Sequence, residues 1–95
     1  MAIDKLAIID TETTGLSPVR HEVIEIGLIL AEQELDDEGM WHINIIEEWE
    51  TKLMPEKIEN ADPIALRVNG YSEDVWNSEG VSQREGLENF SKMIT

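Results

Sequence analysis

The chain has 95 residues and a mass of 10.8 kDa, room for one small domain and not two, because each half of a divided chain would have too little apolar surface to bury. Hydrophobic residues make up 41% and charged residues 29%, an ordinary globular balance that excludes wholesale disorder. Cysteine is absent, which excludes a disulfide framework and a thiolate metal site and leaves oxygen or His donors for any metal.

Seven Lys and Arg against 21 Asp and Glu give a formal charge of −14. A field of that sign repels nucleic acid at long range and excludes a simple DNA-coating role. It leaves room for an enzyme that takes one end of a strand into a metal-containing pocket, since bound divalent ions reverse the local sign. The longest apolar stretch, Ile26 to Ala31, is far short of the roughly 20 residues a membrane span needs. Met1-Ala2-Ile3-Asp4-Lys5 has neither a basic leader nor a long apolar centre. No membrane contact and a cytoplasmic location are therefore expected.

Lys5-Leu6-Ala7-Ile8-Ile9 is a short apolar run that stops at Asp10, and its length and branched residues predict a buried first strand. Thr11 to Pro18 has the composition of a turn, with Gly15 available for positive φ. Val23 to Glu32 alternates as a second strand, with Ile24, Ile26, Leu28 and Leu30 on one face and Val23, Glu25, Gly27 and Ile29 on the other. Two largely apolar faces place it centrally in a sheet. Asp36-Asp37-Glu38-Gly39 marks a solvated turn, and His42 to Leu53 resumes as strand three, with Ile43, Ile45 and Trp49 on one face and Glu48, Glu50 and Lys52 on the other. Three sequential strands with short connections predict an antiparallel meander.

After Pro55 the pattern turns helical. Asp62 before Pro63 is a cap followed by a first-turn proline, and Asn69-Gly70 is a stop, so a short helix is expected over Pro63 to Val68. Ser82-Gln83-Arg84-Glu85 fits a capping box ahead of Leu87, Phe90 and Ile94 at helical spacing.

Asp10-Thr11-Glu12 is the first candidate for chemistry, because residues two apart on a strand point the same way and aim two carboxylates at one spot. Hard oxygen donors suit Mg²⁺ or Mn²⁺, which keep waters or phosphate oxygens as their other ligands. Bare spacing is weak: with 21 acids in 95 residues, such triplets arise by chance about four to five times. Context raises the signal, since an apolar strand ends at the first acid and a Thr-Thr-Gly turn follows the second. A solvated strand end with acids in a loop is the plain alternative.

Ile8-Ile9-Asp10-Thr11-Glu12-Thr13-Thr14-Gly15-Leu16 resembles the first signature of the DEDD 3′-5′ exonucleases, the proofreading-type nucleases with a ribonuclease H-like α/β fold. Glu22-Val23-Ile24-Glu25-Ile26-Gly27 is similar to that family's second strand, and Ile64-Ala65-Leu66-Arg67-Val68-Asn69-Gly70-Tyr71-Ser72 to its short helix and following turn. The resemblance covers nearly all of residues 1–95 but about the N-terminal half of a family domain, so an incomplete ribonuclease H-like fold is expected, a three-stranded antiparallel meander followed by helices.

The resemblance implies a 3′-5′ exonuclease working by two-metal-ion phosphodiester hydrolysis, with Asp10 and Glu12 binding two divalent ions, Mg²⁺ or Mn²⁺. It implies that Thr13, Thr14 and Leu16 line the terminal nucleotide of a single-stranded DNA or RNA 3′ end, and that Asn69 and Gly70 help to hold its base; a turn plus helix stop is their other meaning. The family's two further acids and its general-base His sit on segments after the helix and have no counterpart in this sequence, since His21 and His42 fall in a loop and at the start of strand three. These 95 residues alone are expected to bind metal weakly and to be inactive. Without the later parallel strand, Leu6 to Ile9 would form an unpaired apolar edge, open to a second copy, a polymerase or another chain that completes the fold. A non-catalytic acidic interaction module pairing through that edge is the rival function.

Three weaker signals remain. Asp36 to Gly39 fails as a calcium loop, because Ile45 would occupy the bidentate Glu position. Trp41, Trp49 and Trp76 are expected to pack in the core, with base stacking as the alternative. Glu22 and Glu25 add acids near the first motif, and Glu25 is expected to be satisfied by hydrogen bonds within the fold.

Overall fold

The computed structural model describes residues 3–95. Met1 and Ala2, the head of the segment read for a leader, lie outside the described residues. Three strands, β1 (Ile3–Thr13), β2 (Val23–Leu35) and β3 (Trp41–Lys52), form an antiparallel sheet in the order β1-β2-β3. A 3-10 turn (Ile58–Asn60) and three helices follow, α1 (Pro63–Val68), α2 (Glu73–Glu79) and α3 (Gln83–Ile94). This is the element order of an incomplete ribonuclease H-like α/β fold. No helix among the described residues is long and apolar enough to cross a membrane.

The central place of β2 follows from its two apolar faces: Ile24, Ile26 and Leu28 alternate as buried residues, and from Ala31 onward the burial changes phase. Strand β1 runs four residues past the predicted apolar run, so Glu12 and Thr13 belong to the strand and the turn begins at Thr14. It is also not a buried strand. Ile8 and Ile9 are each about half exposed, because β1 pairs only with β2 among the described residues.

The chain divides into two compact units, one comprising residues 1–10 and 27–50, the other residues 11–26 and 51–95. In the first, the β2 to β3 turn is built by Asp36, whose Oδ1 accepts the Glu38 and Met40 amides at 2.9 and 2.8 Å, while Gly39 takes φ of +83°. Strand β3 departs from expectation here. Ile43, Ile45 and Ile46 are 58 to 60% exposed and Trp41 is 52% exposed, so neither face of residues 41–48 is covered and Trp41 does not pack in a core. Burial in this hairpin is confined to Leu28 and Ala31 on the β2 arm, and strand pairing and the Asp36 turn order the β3 arm.

The second unit contains the helices and a buried cluster of Ile24, Ile26, Leu53 and Trp76. The Trp76 indole N–H donates to the Ile24 carbonyl at 2.9 Å, which satisfies the one polar atom of an otherwise apolar burial. Tyr71 lies 5.0 Å from Trp76 between ring centroids, and burial first, then the nearby Glu73 charge, pushes its phenol pKa above 10.0. Helix α3 closes on the cluster through Gly86, where an added Cβ would stand 2.8 Å from Leu53 Cγ. Ser82 caps this helix by accepting from the Glu85 amide. Leu87 and Ile94 of the predicted stripe are nonetheless 52% and 46% exposed.

Helix α1 has the predicted bounds. Asp62 accepts from the Ile64 amide at 2.9 Å, and Gly70 ends the helix with φ of +69°. Helix α2 was not expected, although its signal is present in Ser72, which accepts from the Val75 amide, followed by Glu73 and Asp74 in the first turn.

Candidate active site

Residues Thr13 to Glu22 form a strap leading out of β1 and back to β2. At its root, Thr14 is fully buried: its amide donates to the Glu22 carbonyl at 2.9 Å, its hydroxyl accepts the Glu22 amide at 2.9 Å, and its carbonyl accepts the Asp62 amide at 2.7 Å. The Thr13 hydroxyl donates to the Gly15 carbonyl at 2.8 Å. Gly15 is needed for proximity and not for positive φ. Among the described residues only Gly39 and Gly70 take positive φ, whereas a Cβ on Gly15 would meet the His21 ring at 2.3 Å. His21 in turn accepts the Ser17 amide through Nδ1 at 2.9 Å, so it is structural.

Strap and strand β2 enclose a cleft of about 360 Å³ lined by Thr13, Gly15, Leu16, His21 and Glu22 among others. Leu16 stands fully exposed and Val19 88% exposed. Leu16 at the tip of the strap therefore adds no buried surface to the fold.

The acids separate into committed and uncommitted groups. Glu22 accepts the Glu56 and Lys57 amides at 2.8 and 3.0 Å, tying the start of β2 to the segment after β3. Glu25 is held by an ion pair with Lys52 at 3.6 Å, and among the described residues not by the hydrogen bonds expected of it. Lys52 also lies 5.2 Å over the Trp76 ring. No hydrogen bond or ion pair among the described residues engages the carboxylate of Asp10 or of Glu12.

Asp10 is exposed, and in the first unit it lines a cleft of about 440 Å³ with Ile8, Gly27, Leu28, Glu48, Trp49 and Glu50. Glu12 is half-buried in the second unit. Their chemistry fits Mg²⁺ or Mn²⁺, which take hard oxygen donors and leave positions to water or phosphate. Among the described residues no group of three or more His, Cys, Asp or Glu could hold a metal ion, so the donors present make a partial set and not a closed cage.

Asn69 reaches the strap through its side chain. Its Nδ2 donates to the Thr13 carbonyl at 2.7 Å, across 56 residues of sequence. The spacing of Asn69-Gly70 indicates a helix stop and nothing in the sequence shows this bond. Thr14, likewise, is fully buried and turns its amide, carbonyl and hydroxyl oxygen to bonds within the fold.

A family model described as Exonuclease, that of RNase T, matches residues 7–95. The chain therefore belongs to this exonuclease family, the DEDD exonucleases, and carries an N-terminal portion of their domain. No curated protein matches it. Nuclease chemistry on a nucleic-acid substrate is the property the family brings.

Proposed function

We propose that residues 1–95 are the N-terminal part of a single exonuclease domain that removes nucleotides one at a time from the 3′ end of a DNA or RNA single strand. Asp10 and Glu12 would hold two divalent ions, Mg²⁺ or Mn²⁺. The observation that carries this is the pair of uncommitted carboxylates two residues apart on β1, followed at once by the clamped Thr13 to Leu16 strap. When bound, such ions supply an activated water and charge stabilisation for the leaving 3′-oxygen.

The chain's own residues do the positioning. Asp10 and Glu12 bring negative charge that offsets part of the ions' charge and selects hard cations. Leu16, fully exposed, offers an apolar contact to the last base, while the Thr13 and Thr14 backbone keeps the strap from shifting under that contact. Glu22 and Glu25 serve the fold through their bonds to backbone amides and to Lys52.

The test is release of mononucleotides from a 3′-labelled single strand by the full-length protein in Mn²⁺. Asp10→Ala should lower the rate by at least ~10³-fold, because a metal ligand is lost. Activity that survives this substitution, or release that starts from the 5′ end, would remove the assignment.

A further inference from the structure

The six residues of α1 are flanked by two bonds that reach the same short segment. At the N-cap, the Asp62 amide donates to the Thr14 carbonyl at 2.7 Å; at the C-cap, Asn69 Nδ2 donates to the Thr13 carbonyl at 2.7 Å. Two successive carbonyls at the end of β1 are thus held by the two ends of one helix. From the other side, Thr14 is paired twice with Glu22. Burial does not explain the arrangement, since α1 itself has no buried residue and exposes Ile64 and Val68 at 65% and 78%. A helix that covers no core yet spends both caps on one pair of carbonyls is acting as a bracket.

We propose that Asn69 is a positioning residue of the nuclease reaction: with Asp62 it brackets Thr13 and Thr14 through α1 and so fixes Glu12, the residue immediately before them, and Leu16 just beyond. It does so without touching the nucleotide. This rests on the exonuclease function proposed above for Glu12 and Leu16. Its physical basis is that a carboxylate needs placement within a few tenths of an ångström to serve a metal-dependent step, and that a misplacement of 1 Å costs on the order of 10²-fold. A side chain bonded to the backbone beside Glu12 supplies that restraint. Asn69→Asp keeps the shape but replaces the N–H donor with an acceptor facing a carbonyl oxygen. Asn69→Gln keeps the donor on a stem one methylene longer.

The test has two readouts on the full-length protein. Amide hydrogen exchange, independent of catalysis, should show the Thr14 and Asp62 amides exchanging faster in Asn69→Asp and less so in Asn69→Gln. In nucleotide release with Mn²⁺, Asn69→Asp should lower kcat by roughly 10 to 100-fold with KM within about twofold, equally for all four 3′-terminal bases, and Asn69→Gln should recover part of the loss. A raised KM at unchanged kcat, or a loss confined to one terminal base, would make Asn69 a base-binding residue and overturn the proposal. Unchanged exchange at both amides would overturn it too. If the wild-type protein releases no nucleotide, the exonuclease function fails by itself, and faster exchange in Asn69→Asp still supports the bracket.

Discussion

The β2 to β3 hairpin and the helical unit of the same chain are stabilised in different ways. In the hairpin, Ile43, Ile45 and Ile46 of β3 stay more than half exposed, burial is confined to Leu28 and Ala31 of β2, and the β3 arm is ordered by strand pairing and a turn around one Asp. In the helical unit, Ile24, Leu53 and Trp76 are almost completely buried, and side chains far apart in sequence reach the backbone: Gln83 donates to the Val23 and Met54 carbonyls, Trp76 to Ile24, Asn69 to Thr13. Local rules suffice to build the β2 to β3 turn. The strap that follows Glu12 and carries Leu16 needs the long-range bonds, so damage to the buried cluster should reach the strap, whereas damage to the exposed face of β3 should not.

The largest expected effect tests that contrast directly. Leu53→Ala and Trp76→Ala should each cost about 3 to 5 kcal/mol, because each leaves a cavity in the buried cluster and Trp76 also loses its indole bond to the Ile24 carbonyl, which keeps the Leu53 amide as its other donor. Urea unfolding measures this, and a loss below about 1 kcal/mol would remove the distinction between the units. Gly15→Ala should cost about 1 to 3 kcal/mol, since the His21 ring occupies the space of the new methyl. It should also displace the strap, which hydrogen exchange at Ser17 would register as loss of the bond to His21. Ser82→Ala removes the α3 cap and should cost about 1 kcal/mol. Ile45→Thr, on the exposed face, should change stability by no more than about 0.5 kcal/mol; a larger loss would mean that this face is covered in solution.

How much of this the sequence disclosed depended on whether the cause was local. The cap at Asp62, the proline after it and Gly70 stand side by side in the chain, and α1 has the bounds they predict. Apolar residues on both faces of β2 announced its central place. The Ser72 cap is equally local, yet Glu73–Glu79 carries no apolar stripe at helical spacing that would mark α2 in the sequence. Exposure of the β3 isoleucines could not be seen, because alternation marks a face without showing what packs on it. Gly15 is the instructive error at the site: a glycine in a turn suggests positive φ, while its actual constraint is a ring six residues away. Asp10 and Glu12 were legible from an apolar strand ending in two acids. The tethers of Asn69 and Glu22, 56 and 34 residues from their partners, follow no pattern of spacing and need the folded chain.

The smallest effect sharpens the comparison from the hairpin side, where a single titrating group should act without consequence for the rest. His42 Nε2 lies 2.6 Å from Asp36 Oδ2, and that hydrogen bond is the main reason the Asp36 carboxyl sits below its usual 3.8, with the Met40 and Glu38 amides adding to it. A depressed folded pKa means that Asp36 contributes stability above about 3.8, the unfolded value, and that the contribution is lost as pH falls through the folded value. His42→Ala removes the main cause, so Asp36 should titrate closer to 3.8, and the Met40 amide, which donates to this carboxylate, should lose protection at a higher pH than in the wild type. Carboxyl ¹³C titration and hydrogen exchange follow the two quantities. Because the pair is open to solvent and screened by salt, exchange at Thr14 and Trp76 should not change. Loss of protection at those buried sites would show that the hairpin and the helical unit unfold together, and the contrast between locally and remotely built regions would have to be given up.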